Sequence, residues 1–519
     1  MTPQSGFMVL APVIPVRETE LRQLLDSMND GPGRVNPNNA LIPFAQFEKL
    51  HFARLLILDD NSLEDRAIYS LPSDFPLEFA FLGDIDGEEE TFLKELAQRA
   101  PEGLRRLFSC CRDFDPGCDL LAWMKRHRSP AIASFVNCRG RTVQLIREEA
   151  QLRETLDRYL AEKAATLAQM SPREVHAKLS EFVAAEKSAG RLTLSGESPT
   201  PIAWWIGNAL HMICLPLLVL LASPLLLLAL PFYLVRLRYL EKTDVEICPK
   251  VDLAYSEMLA VAEDHFVTNQ YTALGSRKPG LVRLLTMIGA LSVVNYAARH
   301  ITRPGHLGRI RTIHFARWVF LDGKERMVFF SNYDGSVESY MDDFINKTGF
   351  GLNAAFGSAI GYPRTRWFLF DGCADERKFK NFNRRHTIPT QVWYKATAYL
   401  GLTAVDLERN TRIRQGLEKS SMTDEQAREW VALPRESTLV QVAAFCRDRC
   451  RCHNSIPIRL CRGLVPDQDR DRCSRRPRCC GRVPSRIAAP SGTLDCVSSH
   501  RRVAQKGEIF VSDTNGALR

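Results

Sequence analysis

The sequence predicts an α+β protein made of two similar halves with an apolar, membrane-associated segment inserted between them. Three observations lead there. A strand-like run recurs 263 positions later: Leu50-His51-Phe52-Ala53-Arg54 returns as Ile313-His314-Phe315-Ala316-Arg317. The matches then continue in order, Phe92 with Tyr340, Leu96 with Phe344, Gly103-Leu104 with Gly351-Leu352 and Phe108 with Phe356. Between the halves, positions 202–235 hold no formally charged side chain. Self-similarity over such a distance means that one folding unit is used twice.

In the first half, residues 7–14 form a β run and 18–28 have helical periodicity. Residues 50–58 are an apolar strand closed by an Asp-Asp-Asn turn signal, and 77–82 a third strand. Gly87 opens a helix whose first turn carries Glu88, Glu89 and Glu90, which suit the positive helix N-terminus, with Phe92, Leu93 and Leu96 as its apolar stripe. Residues 134–138 are the fourth strand and 142–160 a trailing charged helix. The second half reads the same way: strand 269–274, helix 281–299, strands 313–321 and 326–331, helix 337–346 and a fourth strand at 365–370. The expected divisions are 1–165, a helical linker 166–199, the apolar segment 200–240, a connector 241–264, the second half 265–432 and a Cys/Arg-rich tail 433–519.

The order strand, helix, strand, strand, helix, strand is the ferredoxin-like motif. The chain thereby resembles the dimeric α/β-barrel superfamily over roughly 7–160 and 265–418. That resemblance implies two fused ferredoxin-like halves forming one pseudo-dimeric barrel. Its members include dye-decolorising peroxidases, chlorite-dismutase-like haem enzymes and small monooxygenases. Gly83-Asp84-Ile85-Asp86-Gly87 fits the GxxDG pattern of the peroxidases, in which the Asp assists peroxide cleavage beside haem. The second copy, Ser331-Asn332-Tyr333-Asp334-Gly335, keeps only the Asp-Gly. Asp before Gly at a strand-to-helix junction is equally an ordinary cap.

As one helix the apolar segment would measure about 51 Å, against a hydrocarbon core of about 30 Å. Pro216, Pro224 and Pro231 interrupt it, and each removes a hydrogen bond. If both halves share one barrel they lie on one side of the membrane, so the segment enters and returns as a re-entrant or interfacial hairpin. The rivals are one tilted, kinked span with the halves on opposite sides, and a buried soluble hairpin. Trp204, Trp205, Tyr233 and Tyr239 suit the headgroup level, and Arg236, Arg238 and Lys242 point to a cytoplasmic face. His211 lies inside the run and is expected to bond a backbone carbonyl.

Among candidate site residues, His314, His51 and His386 are the potential haem or cofactor ligands, and Asp86, Arg317 and Asp334 the potential catalytic groups. Alternation places His51 with Ala53, Leu55 and Ile57 on one strand face and Arg54 with Leu56 and Leu58 on the other, so His and Arg share no pocket without a bulge. The competing expectation is structural: a residue kept in both copies serves folding, and Arg54 and Arg317 pair with loop carboxylates. Asp84, Asp86, Asn332, Asp334, Asp342 and Asp343 offer oxygen atoms to a hard cation but lack EF-hand spacing. The sequence carries no GxGxxG after a strand, Walker A, HExxH or GxSxG elbow.

Sixty-nine Lys+Arg against 60 Asp+Glu leave +9, but eleven Arg and four Asp between Arg447 and Arg482 supply most of it, so charge argues against a nucleic-acid partner. Eight of 15 Cys fall from Cys446 onward and the rest are scattered, which reads as a reducing compartment. The N-terminus lacks a basic n-region and a cleavage site, so no signal peptide is expected. In the tail, Cys446, Cys450, Cys452 and His453 are a zinc candidate with poor spacing; the rival readings are disorder, an out-of-frame translation, or a basic tail on anionic lipid. The expected partners are a lipid membrane and an apolar small molecule. The expected function is oxidative chemistry on an apolar substrate, with haem as its possible cofactor; the alternative is a non-catalytic lipid-binding or scaffold protein.

Overall fold

The computed structural model describes residues 1–196, 198–247, 251–419 and 421–435. The zinc and tail expectations lie outside them. The chain is a mixed α+β fold, 53% helix and 18% strand. Its strands are β1 (Gln4–Pro12), β2 (Asn29–Gly31), β3 (Arg34–Val35), β4 (Leu50–Leu58), β5 (Glu78–Asp86), β6 (Ala133–Val136), β7 (Thr268–Ser276), β8 (Ile313–Leu321), β9 (Arg326–Asp334), β10 (Thr365–Arg366), β11 (Phe370–Asp371) and β12 (Val392–Lys395). Two four-stranded antiparallel sheets form, ordered β1-β5-β4-β12 and β6-β8-β9-β7.

Each sheet thus takes its last strand from the other half of the chain. Residues 127–129 first bond the free edge of β1 (Leu10 N to His127 O, 2.9 Å; Ser129 N to Met8 O, 3.0 Å), and the chain then crosses so that β6 pairs with β8. In the second half Ile388 N donates to Thr272 O of β7 at 2.9 Å before β12 crosses to β4. The sheets face each other across Met8, Leu56, Leu82, Leu274, Val319, Val328 and Phe330. Their outer faces pack under helices, Glu89–Arg99, Pro101–Phe108 and Leu120–Arg126 on the first sheet. Leu281–His300, Val337–Phe356 and Glu376–His386 cover the second. The trailing helices Val143–Glu162 and Ala404–Leu417 pack together with Pro172–Ser188, inside the expected linker, and Asp424–Ala432 around Leu156, Leu179, Ile413 and Trp430.

Two expectations are corrected. The fourth strand of the second half is β12; residues 365–370 belong to the small β10–β11 hairpin, where Trp367 (φ 52°) and Phe368 (φ 66°) take the left-handed conformation that an extended strand cannot contain. The apolar segment does not turn back on itself but forms one continuous helix, Ile202–Thr243. Proline did not break it because two of the three freed carbonyls find other donors: the Tyr296 hydroxyl donates to Met212 O at 3.0 Å, opposite Pro216, and Ser223 Oγ to Leu220 O at 2.7 Å, opposite Pro224. This helix and Leu281–His300 are long and apolar enough to cross a membrane.

Candidate functional site

A β-bulge falls at each repeated histidine: register slips between Leu50 and Phe52, and between Ile313 and Phe315. The extra residue turns both imidazoles toward the strand ends. His51 Nε2 donates to Asp86 Oδ1 at 2.9 Å, and His314 Nε2 to Asp334 Oδ1 at 2.7 Å. Each Asp spends its other oxygen on a helix N-terminus: Asp86 Oδ2 accepts from Val143 N (2.9 Å), and Asp334 Oδ2 from Ala404 N (2.7 Å). Gln4 Nε2 and Thr268 Oγ1 occupy their remaining sides. Both aspartates therefore cap, as the alternative expectation held, but the helix each caps is the trailing one, some fifty residues or more downstream. The two pairs meet through Phe52 and Phe315 (centroids 5.7 Å apart) and through Tyr399, which lies edge-on to His314 and whose hydroxyl donates to His51 Nδ1 at 2.6 Å.

Further along the same strands two arginines cross between the sheets. Arg317 donates to Phe7 O (2.8 Å), Gly83 O (2.9 Å) and the Asp84 carboxylate. Arg54 reaches Tyr271 O (2.7 Å), Thr272 Oγ1 (3.0 Å), Ser331 O and Asn332 Oδ1 (2.6 Å). Asn332 Nδ2 then donates to Asp84 Oδ2 at 3.2 Å, which joins the two sets. The expected loop carboxylate is thus a strand carboxylate for Arg317 and a set of carbonyls and an amide for Arg54. Burial, opposed by Asp84 and reinforced by Arg317, lowers Arg54 to about 9. Every polar group here has a partner, and the space between Arg54, Asp84, Arg317 and Asn332 amounts to about 10 Å³, one water at most. His51, His314, Asp86, Asp334 and Arg317 hold sheets and helices together, with no substrate-sized opening among them. Asp342 and Asp343 pair with Lys380 and Lys347 on the surface.

His386 stands apart from these. It ends the Glu376–His386 helix, 2% exposed, with Nδ1–H donating to Phe382 O at 2.7 Å, which leaves Nε2 as an acceptor. Nε2 is buried and makes no hydrogen bond. Burial also lowers the imidazole pKa, so the ring is neutral. It lines a cavity of about 40 Å³ with Met287, Met327, Met341, Phe329 and Phe344. Of the other polar groups there, Tyr271 and Asn383 are bonded to each other and Ser276 Oγ accepts from Arg66 at 3.1 Å. Gly275 makes room, since a Cβ there would come within 2.8 Å of the His386 ring.

An anchored, neutral imidazole has the chemistry of an axial ligand, but about 40 Å³ holds roughly three waters and does not admit a porphyrin. The residues present do not fit haem. No protein-family model, curated protein or solved structure matches the chain.

The sequence placed His386 only by its position in the second half. A sharper signal existed: Arg126-His127 with Pro130 and Arg385-His386 with Pro389 repeat the same spacing before the crossing strands.

Proposed function

We propose that this protein is a membrane-attached, non-catalytic binding protein built on a duplicated unit. In this reading the two ferredoxin-like halves share one barrel and the second half holds a small apolar ligand against His386. The barrel is supported by the paired crossings, in which the segment leading into each fourth strand bonds β1 or β7 of its own half before the strand itself pairs with β8 or β4 of the other. The long, exposed apolar helix Ile202–Thr243 supports membrane attachment.

The observation that carries the binding reading is the buried, unbonded Nε2 of His386 in a wall of Met and Phe side chains. A buried acceptor without a donor costs about 1–3 kcal/mol. A ligand that brings one hydroxyl and is otherwise apolar removes that cost. Methionines are flexible enough to widen the space for it.

Calorimetric titration of the detergent-purified chain with phenol and with toluene tests this. Phenol is expected to bind about 3–10-fold more tightly, the worth of one hydrogen bond, and His386→Leu to erase the preference. Equal binding of the two probes, or a preference that survives in His386→Leu, overturns the assignment. A Soret band in protein expressed with haem precursor, lost in His386→Ala, would return the oxidative reading.

A further inference from the structure

Both ends of the Ile202–Thr243 helix are tied to one folded body. Near its start Asn208 Oδ1 accepts from Arg299 Nε at 2.7 Å, His211 Nδ1 lies 2.8 Å from His300 Nε2 rather than on a carbonyl, and Tyr296 bonds Met212 O. Near its end the Tyr233 hydroxyl meets Thr286 Oγ1 at 2.6 Å. Asp244, the residue after the helix, accepts from Lys278 Nζ (2.9 Å) and from Arg283. All of these partners except Lys278 lie on Leu281–His300. That helix is itself part of the second half's core through Met287 and Leu291, and its Asn295 Oδ1 accepts from Ser134 N of β6 at 3.3 Å. It cannot enter the hydrocarbon without drawing a sheet after it, where strand edges would lose their hydrogen bonds. Forty-two helical residues reach about 63 Å, and a helix held to the same side at both ends does not cross.

A second apolar feature sits at the basic end of this helix. Glu241, fully buried, accepts from Trp367 N (3.0 Å), Phe368 N (2.6 Å) and Thr365 Oγ1 (3.0 Å), and so holds the β10–β11 hairpin in its left-handed turn. The turn leaves Trp367, Leu369 and Phe370 exposed. Exposed Arg364 and Arg366 flank them in the chain, Arg238 lies over the Trp367 ring (5.8 Å), and Arg236 and Lys242 are exposed on the same end of the helix, with Asp371 the carboxylate on Arg366. An aromatic tip beside arginine and lysine matches the headgroup zone of an anionic bilayer.

We propose that Ile202–Thr243 lies along one leaflet of an anionic membrane instead of spanning it, and that the hairpin inserts Trp367, Leu369 and Phe370 into the same leaflet. This rests on the membrane attachment inferred above. The experiment places an environment-sensitive fluorescent amino acid at Leu220, Phe370 or Glu102 of the full chain in phosphatidylglycerol/phosphatidylcholine nanodiscs, with quenching by lipids brominated near the headgroup or near the chain end. The expected result is blue-shifted emission at 220 and 370, quenched at least twofold more by shallow than by deep bromine, and water-like emission at 102. Deep quenching at 220 overturns the in-plane helix. Water-like emission at 370 with 220 in lipid overturns the hairpin while leaving attachment intact, and water-like emission at both overturns attachment itself.

Discussion

The two halves share a strand plan and differ in what lies beneath the helix that precedes the crossing strand. In the first half His127 also bonds the carbonyl four residues back, Trp123 O at 3.0 Å, and stacks on that ring at 3.9 Å. It stays half-exposed, while Trp123 packs on Phe108 and Phe114. In the second half Phe382 replaces the tryptophan and His386 sinks inside. The strand beneath explains the difference. Ala11 of β1 stands where β7 has Gly275, and only the glycine lets an imidazole lie against the backbone. A methyl group and a smaller ring separate a packed half from one that keeps a cavity. The cavity beside His386 is thus left by two smaller groups on an otherwise similar strand and helix.

The largest expected effect breaks the comparison at the arginines. Asp84→Ala leaves Arg317 buried without a carboxylate and is expected to cost about 3–5 kcal/mol in denaturant unfolding. Asn332→Ala, at the equivalent place in the second half, removes a neutral amide that accepts from Arg54 and donates to Asp84, and costs about 1–3 kcal/mol. Equal losses would show that the charge at 84 carries no special weight. Next, His386→Leu removes an orphaned acceptor and is expected to stabilise by about 1 kcal/mol, whereas His127→Leu on the half-exposed side stays within about 0.5 kcal/mol. Tyr399→Phe deletes the hydroxyl on His51 alone and costs about 1 kcal/mol, a loss with no counterpart at His314.

A further prediction concerns pH. Arg326 of β9 is shared between Asp322 and Glu78, the latter at 2.9 Å across the sheets. Burial, helped by Asp322 and opposed by Arg326, pushes Glu78 up to about 7. Folding therefore takes up a proton between about 4.5 and 7. The stability from this group is fully present below about 4.5 and is lost as pH rises through 7. Glu78→Gln is expected to flatten that part of the melting-temperature profile, and an unchanged slope would place the proton elsewhere.

Much of this fold was legible because its local signals agree. The apolar runs at 50–58 and 313–321 become strands with those bounds, and Arg54 with Leu56 and Leu58 does face the other sheet. The exchange of β6 and β12 was not legible, since pairing partners some 180 and 340 residues apart leave no periodicity. Residues 365–370 misled because Thr-Arg-Trp-Phe-Leu-Phe has strand composition, while the turn is imposed by Glu241 from a distant helix. At the candidate site, a histidine repeated in strands outweighed one at a helix end. Only the third dimension shows which imidazole has a nitrogen to spare.

The exchanged strands also set a timetable for synthesis. β4 leaves the ribosome about 330 residues before β12, its neighbour in the finished sheet. At roughly 5–20 residues per second the first sheet keeps an open edge for about 15–70 s. An unpaired edge invites other chains, so the nascent first half needs shelter for that whole interval, during which the entire Ile202–Thr243 helix is made.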